Sequence, residues 1–235
     1  MKYVLSAGLG LCVLAQPVIA ADLPIKAPPS QAPVAAVFDW SGFYVGADAG
    51  KLKSRAELLI ASNVVAKPNP DGSVLGGHLG YRQQLASGVV WGVELDAWRD
   101  SKGERIDPYS NAPGQGGIDL RWGGSARAQL GYAYGPLLGY LTGGAAYISY
   151  EGCAVHNVLT PCLTGTLYSG DSWGWTWGTG LAFALTNNLS VRVEYLYADY
   201  GREPVSTPGV AGGRTLIDLR TRTVRAGVSW KFATR

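Results

Sequence analysis

Apolar and polar residues alternate along most of this chain. The alternation is clearest in the segment that could otherwise be a membrane-spanning helix. Residues 172–191 carry no charge and are numerous enough to cross a bilayer as a helix. With a period of two, however, one face carries mostly Trp, Leu and Phe, and the other carries mainly Gly, Thr and Ala. Because residues i and i+2 share a face in a strand and not in a helix, the pattern predicts β-structure.

Seven other segments show the same period, and each has about the length that a tilted strand needs to cross a membrane. In one of them Val93 and Leu95 alternate with Glu94 and Asp96, so the apolar pair is expected outside and the carboxylates inside. The seven lie at residues 41–51, 74–85, 89–99, 118–133, 138–150, 189–200 and in a segment that ends at residue 232. Residues 138–150 are apolar on both faces, so their orientation is left open.

The connections between these strands alternate in length, which distinguishes a membrane barrel from a soluble sandwich. Long links lie near residues 52–73, 100–117, 151–171 and 201–214, and tight turns lie near 86–88, 135–137 and 186–188. Long loops on one side, with short turns and both termini on the other, are typical of outer-membrane barrels. A sheet in lipid must also close, since an open edge would leave backbone groups unpaired. The sequence therefore predicts an all-β fold, an eight-stranded antiparallel up-and-down transmembrane β-barrel.

The beginning of the chain indicates export. Lys2 precedes an apolar run from Val4 to Ala15, and small residues follow the run. Because the run is shorter than a spanning helix, we expect residues 1–21 to be a cleaved signal peptide. Residues 22–39 are rich in proline and predict an extended periplasmic leader, which leaves residues 40–235 for the barrel.

Composition agrees with strands that face lipid. The chain has 33 Gly, 8 Trp and 13 Tyr and only 16% charged residues, against roughly 25% in a soluble domain. Aromatic residues near strand ends, such as Trp40, Tyr44 and Tyr200, are expected in the headgroup layer. The net charge is +3, or +2 without Lys2, and there is no basic block, so a nucleic-acid partner is not expected.

Several short motifs resemble one known family, the small outer-membrane β-barrel proteins of alphaproteobacteria, which include the outer-membrane immunogenic proteins. The matching residues are 21–29 (ADLPIKAPP), 40–46 (WSGFYVG), 92–94, 125–132 (SARAQLGY), 142–147, 194–201 (EYLYADYG) and 224–228. The resemblance implies an envelope protein of the Gram-negative outer membrane, inserted by the barrel-assembly machinery and surface-exposed in many relatives. It also implies a porin-like role, which for the family has been proposed more often than established.

The inward positions of the predicted strands carry charges of both signs. In residues 118–133, Leu120 and Trp122 are expected outside and Arg121 inside. Charges inside a narrow barrel should pair, because an unpaired buried charge is very costly. Two alternatives stay open, a salt-bridge plug and a narrow ion-selective path lined by the same groups. The predicted lumen charges are Asp48, His78, Arg82, Glu94, Asp96, Arg121, Arg127, Arg192, Glu194, Arg225 and Lys231.

Two histidines, His78 and His156, are the candidates for catalysis or metal binding. Asp96 is a geometrically possible partner for His78, but no nucleophile motif accompanies it, so we expect no enzymatic activity. His156 lies in the third long link, where a solvated loop residue is the default. The sequence gives no reason to expect a cofactor or a metal site.

Cys153 and Cys162 lie in the same long link. Export favours their oxidation, and a pair allows one disulfide, with two free thiols as the alternative. Zinc is not expected, since two sulfurs and one nearby histidine do not complete a four-ligand site.

These patterns lead to one main hypothesis and one alternative. The main hypothesis is an integral outer-membrane barrel with a structural or porin-like role. The porin-like role includes a narrow ion-conducting pore. The alternative is a surface recognition protein whose extracellular loops bind a host molecule, haem or phage. Expected partners are outer-membrane lipid and lipopolysaccharide, with the proline-rich leader in reach of peptidoglycan.

Overall fold

The computed structural model describes residues 38–60, 63–66, 71–100, 105–108, 115–155, 166–206 and 214–232. Within these ranges eight long strands and two short ones form a single antiparallel sheet. The strands are β1 (Gly42–Ile60), β2 (Asn63–Ala66), β3 (Asp71–Gln84), β4 (Val89–Asp100), β5 (Arg105–Pro108), β6 (Gln115–Tyr134), β7 (Leu137–Val155), β8 (Thr166–Ala184), β9 (Leu189–Ser206) and β10 (Arg214–Lys231). The signal peptide, most of the leader, His156 and Cys162 lie outside the described residues, as does the side chain of Cys153.

The sheet closes on itself, which confirms the predicted eight-stranded barrel. Each long strand pairs with the next long strand along the chain, and β1 also pairs with β10. This last pairing runs from Tyr44 opposite Lys231 to Leu59 opposite Leu216. Closure leaves no long edge in the membrane, as a sheet surrounded by lipid requires.

Tight turns join the strands at one end of the barrel, which is therefore the periplasmic end. Gly88 and Gly135 have φ of 87° and 58°, a conformation that other residues adopt at a cost. At the opposite end the strands are longer than the alternation predicts. For example, β7 continues to Val155 and β8 begins at Thr166. Above the lipid both faces of a strand can be polar, so alternation no longer marks its limits.

Side chains alternate between the two faces as predicted. Along β4, Val93 and Leu95 are exposed on the outer wall, and Glu94 is buried in the lumen. The same alternation settles the open orientation of β7, where Leu141 is exposed and Tyr140 and Thr142 are buried. Among the residues that the structure describes, no helix has the length and apolar character to cross a membrane.

One prediction about β6 is wrong, because the strand contains a β-bulge. The pairing of β6 with β7 shifts between Leu120 and Trp122, so Arg121 is the extra residue. A bulge reverses the face of every residue on one side of it. As a result Leu120 points into the lumen and is 2% exposed, whereas Arg121 lies outside and pairs with Glu151.

Two apolar layers fill the lumen above and below a charged middle. The upper layer lies toward the long strand ends and consists of Leu52, Val74, Leu120, Ala146, Ile148, Tyr150, Ala198, Tyr200 and Leu219. The lower layer lies toward the periplasm and consists of Phe38, Trp40, Val90, Ala133, Leu138, Tyr140, Ala182 and Ala184. Trp40, Tyr44 and Tyr200 are therefore buried in the barrel and do not lie in the headgroup layer.

Candidate functional site

The middle of the lumen holds four guanidinium groups and four carboxylates among the described residues. They come from six strands, because the inward positions of β1, β3, β4, β6, β9 and β10 carry charge at a similar height. The groups are Arg82, Arg127, Arg192, Arg225, Asp48, Glu94, Asp96 and Glu194, and all are buried. These eight groups carry four positive and four negative charges, so their charges sum to zero.

Arg192 on β9 connects walls of the barrel that are not neighbours. Its Nε and Nη2 donate to the two carboxylate oxygens of Asp48 on β1, at 3.0 and 2.9 Å. Its Nη1 donates to Glu94 Oε2 on β4, at 2.5 Å. A bidentate pair with one strand and a second bond to another fixes the guanidinium in the middle of the lumen.

Arg127 and Arg225 complete the crossing pattern. Arg127 on β6 contacts Glu94 Oε1 at 2.5 Å, Glu194 Oε1 at 3.1 Å and Asp96 Oδ2 at 3.1 Å. Arg225 on β10 donates from Nε to Glu194 Oε2 at 2.8 Å and from Nη1 to Asp96 Oδ1 at 3.0 Å. Every carboxylate of the cluster therefore meets at least one arginine, which compensates the cost of removing these charges from water.

Arg82 is held mainly by neutral groups. Its Nε donates to Gln129 Oε1 at 3.0 Å, and its guanidinium carbon lies 4.3 Å from the centre of the Tyr44 ring. Tyr44 in turn donates its hydroxyl to Glu94 Oε2 at 2.8 Å. Tyr140 does the same to Glu194 Oε1 at 3.2 Å, so aromatic hydroxyls border the charged layer on its periplasmic side.

His78 lies between an acid and a hydroxyl. Its Nδ1 is 2.7 Å from Asp48 Oδ2, and its Nε2 is 2.7 Å from Ser229 Oγ. The order of groups is that of a serine-hydrolase triad, but all three residues are buried in the packed lumen. Asp96, the partner suggested by sequence, is the cross-strand neighbour of His78 and bonds instead to Arg225.

The apolar layers shield this cluster at both ends. Leu52 lies four residues above Asp48 on β1, and Val74 lies four residues above His78 on β3. Ile148 in the same layer is fully buried. At the periplasmic mouth Trp40 is 3% exposed, and its backbone N donates to Gln84 Oε1 at 2.9 Å. The charged layer thus has no wide aqueous approach within the described part of the barrel.

Nine of the predicted lumen charges lie in or beside this cluster, and two do not. Arg121 lies outside because of the bulge. Lys231 is the last residue of β10, so its ammonium reaches the periplasmic mouth, where it donates to the Asp39 carbonyl and lies 4.5 Å from the Phe38 ring centre. Sequence reasoning missed the neutral partners Tyr44, Gln129, Tyr140 and Ser229. The alternation places Tyr44, Gln129 and Ser229 on the inner face, but it left the orientation of the strand that carries Tyr140 open.

Comparison with known proteins fits this geometry. A family model described as the outer membrane protein β-barrel domain matches residues 29–232. The chain belongs to this outer-membrane β-barrel family. It is 31% identical to the 31 kDa outer-membrane immunogenic protein of Brucella melitensis, over 99% of this chain and all of that protein.

The family assignment extends to further relatives and places the chain in the outer membrane. A 22 kDa outer membrane protein of Rhizobium leguminosarum bv. viciae is 32% identical over 86% of this chain and 82% of that protein. Among solved structures, the outer membrane protein OprG from Pseudomonas aeruginosa superimposes with a TM-score of 0.56 at 14% identity, covering 83% of this chain and 97% of that one. This last similarity concerns the fold alone. The resemblance seen in the sequence motifs is confirmed.

Proposed function

We propose that this barrel is a closed structural wall of the outer membrane and not a diffusion pore. The observation that carries the proposal is the arrangement of the lumen, where paired charges are enclosed between two buried apolar layers. Arg192, Arg127 and Arg225 each bridge non-adjacent strands, so they brace the barrel across its width. An ion would have to break these pairs and cross apolar contacts on both sides.

The long strand ends also suit a second role, in which the barrel is a scaffold that presents surface loops. On β7 and β8 the sheet continues beyond the segments 138–150 and 172–191 that alternation predicts, to Val155 and from Thr166. Rigid strands that carry loops away from the membrane are the usual way in which barrels present a recognition surface. The names of the immunogenic relatives agree with surface exposure, and a recognition role in these hairpins is the second candidate function.

Catalysis is not part of the proposal. His78, Asp48 and Ser229 have the contacts of a triad, but a substrate carbonyl needs space beside the hydroxyl and donors for an oxyanion. Ser229 is 3% exposed and lies against His78 in the packed lumen. We assign these residues to the structural network. Insertion by the barrel-assembly machinery and contact of the leader with peptidoglycan remain proposals for partners.

Planar-bilayer conductance of the purified chain tests the closed barrel. The wild-type protein is expected to give no discrete conductance steps. Arg127→Ala and Glu94→Ala are expected to stay silent as well, because both apolar layers persist in these variants. Circular dichroism and the migration of unheated samples in gels establish that each protein is folded before it is measured.

Discrete steps from the folded wild-type protein would contradict the proposal. If their ion selectivity also changed in Arg127→Ala and Glu94→Ala, the lumen would be a narrow charged pore. Display is tested separately by shortening the β7–β8 hairpin above the membrane. Recognition of a host molecule or phage should be lost, while the migration of the unheated barrel is unchanged.

A further inference from the structure

The outer wall carries a group of basic residues at the upper end of β1 and β10. On β1 the outward positions change from Ala47 and Ala49 to Lys51, Lys53 and Arg55, which are exposed. On β10 the outward residues Arg222 and Arg220 lie directly opposite Lys53 and Arg55. We call the five cations, Lys51, Lys53, Arg55, Arg220 and Arg222, the basic rim.

Like charges at directly opposed cross-strand positions repel each other, so this arrangement favours an anion from outside. Arg220 already pairs with Asp199 and Asp218, each at 3.2 Å. Lys51 donates to Ser73 Oγ at 2.9 Å, and Asp71 is in register with Lys53. Asp218 is shared with Arg202 on β9, at 3.3 Å, so positive charge remains in excess at the rim.

At a similar height, the rest of the outer wall carries charges of both signs. Arg121 on β6 pairs with Glu151 on β7, Arg99 on β4 is exposed, and Asp171 on β8 is exposed. Among the described residues, only β1 and β10 place cations directly opposite each other. The basic rim therefore differs from the rest of the wall in the closeness of its positive charges.

A groove of about 650 Å³ lies in the lipid-facing wall beneath the basic rim. It exists because small side chains, Ala47 and Ala49 on β1 and Ala226 on β10, lie between larger ones such as Phe183 and Leu75. Its upper end, at Ala49 and Leu75, is two residues below Lys51 and Ser73. The basic rim and the groove therefore form one continuous surface, with a polar top and an apolar lower part.

We propose that this surface binds a phosphorylated acyl lipid of the outer leaflet, the lipid A part of lipopolysaccharide. Lys53 and Arg222 hold a phosphate group, and an acyl chain lies in the groove past Ala49 and Ala226. Arginine and lysine are the side chains that recognise phosphate, and the long strand ends face the outer leaflet. This site is independent of whether the lumen is closed.

Binding of lipid A to the full chain in phosphatidylcholine nanodiscs, followed by native mass spectrometry, tests the site. Lys53→Gln with Arg222→Gln is expected to weaken lipid A binding roughly thirtyfold. The matched control is Arg99→Gln with Arg121→Gln, which removes the same charge at the same height on β4 and β6 and should leave binding unchanged. Unheated gel migration confirms that both variants are folded.

Two further probes separate a lipid site from a simple anion site. Lipid A without its phosphates should bind the wild type as weakly as intact lipid A binds the double variant. Ala49→Trp with Ala226→Trp fills the groove and should weaken lipid A binding, whereas binding of inorganic pyrophosphate should not change. An equal loss in the two charge variants, unaltered binding in Lys53→Gln with Arg222→Gln, or full competition by pyrophosphate would each overturn the proposal.

Discussion

Arg127 contacts three carboxylates at once. Its substitution should therefore show how much a single lumen residue contributes to the free energy of unfolding. In Arg127→Met, Glu94, Glu194 and Asp96 would lose a buried partner. Breaking a buried ion pair by removing one partner costs about 3–5 kcal/mol, so the free energy of unfolding should fall by that amount. Denaturation of the barrel in lipid vesicles measures it.

Arg121→Met is the control for this substitution, because Arg121 forms an exposed pair with Glu151. Exposed pairs contribute about 0–1 kcal/mol, so this variant should unfold almost as the wild type does. Equal losses in the two variants would mean that the lumen pairs do not stabilise the barrel.

Glycines allow the large lumen side chains to fit, and Gly180 is a clear case. A Cβ at this position would lie 2.4 Å from Cζ of Tyr140, which donates to Glu194. Gly180→Ala should therefore lower the free energy of unfolding by about 1–3 kcal/mol through overpacking. At Gly139 the nearest atom to such a Cβ is 3.6 Å away, so Gly139→Ala should have little effect in the same denaturation assay.

The sequence predicts the side of the wall for most residues, but it does not predict their partners. Alternation places Asp48, His78 and Asp96 inside the barrel, yet His78 pairs with Asp48 and not with Asp96. The choice depends on how arginines from the far wall, here Arg192 and Arg225, reach across the ring. Such contacts join residues far apart in the chain, and no local pattern records them.

At the scale of the strand, the bulge at Arg121 explains why alternation failed locally. Without Arg121, the sequence of β6 would alternate regularly, with Leu120 inside and Trp122 outside. Deletion of Arg121 should therefore leave a folded barrel, since every side chain keeps its face. The assay is the migration of unheated protein after refolding into lipid.

Deletion of Ala128 in the same strand provides the contrast. Ala128 lies on the lipid face beside the buried Arg127 and Gln129, so its loss would move a whole set of lumen residues to the lipid side. We expect no folded barrel from this variant. A folded product from both deletions would show that the register of β6 is not fixed by the lumen.

For the whole molecule, the free-energy cost of a charge on the lipid-facing surface should depend on its depth in the bilayer. Leu181 lies within the apolar band of β8, and Leu185 lies next to the periplasmic turn; both are exposed to the surroundings of the barrel. Leu181→Arg should cost about 2–4 kcal/mol and Leu185→Arg about 0–1 kcal/mol. Unfolding in vesicles should show this difference, and similar costs at the two sites would contradict these assigned depths.

The fold as a whole could be predicted because two patterns that extend along the whole chain agree. These are the period of two and the alternation of loop lengths. The limits of the strands could not, since β7 and β8 continue above the lipid where outward residues no longer need to be apolar. Nor could the burial of Trp40 be foreseen, because an aromatic residue at a strand end suits the headgroup layer and the barrel mouth equally well.

The pairing of β1 with β10 joins residues such as Val45 and Trp230, which come from opposite ends of the barrel sequence. A chain that adds its strands in order keeps an unpaired edge on β1 until β10 is in place. The entropy of bringing these ends together must be overcome before any contact of the seam forms. We therefore expect ring closure to be the last and slowest event of assembly, and substitutions along this seam should change the rate of insertion more than those on any other strand pair.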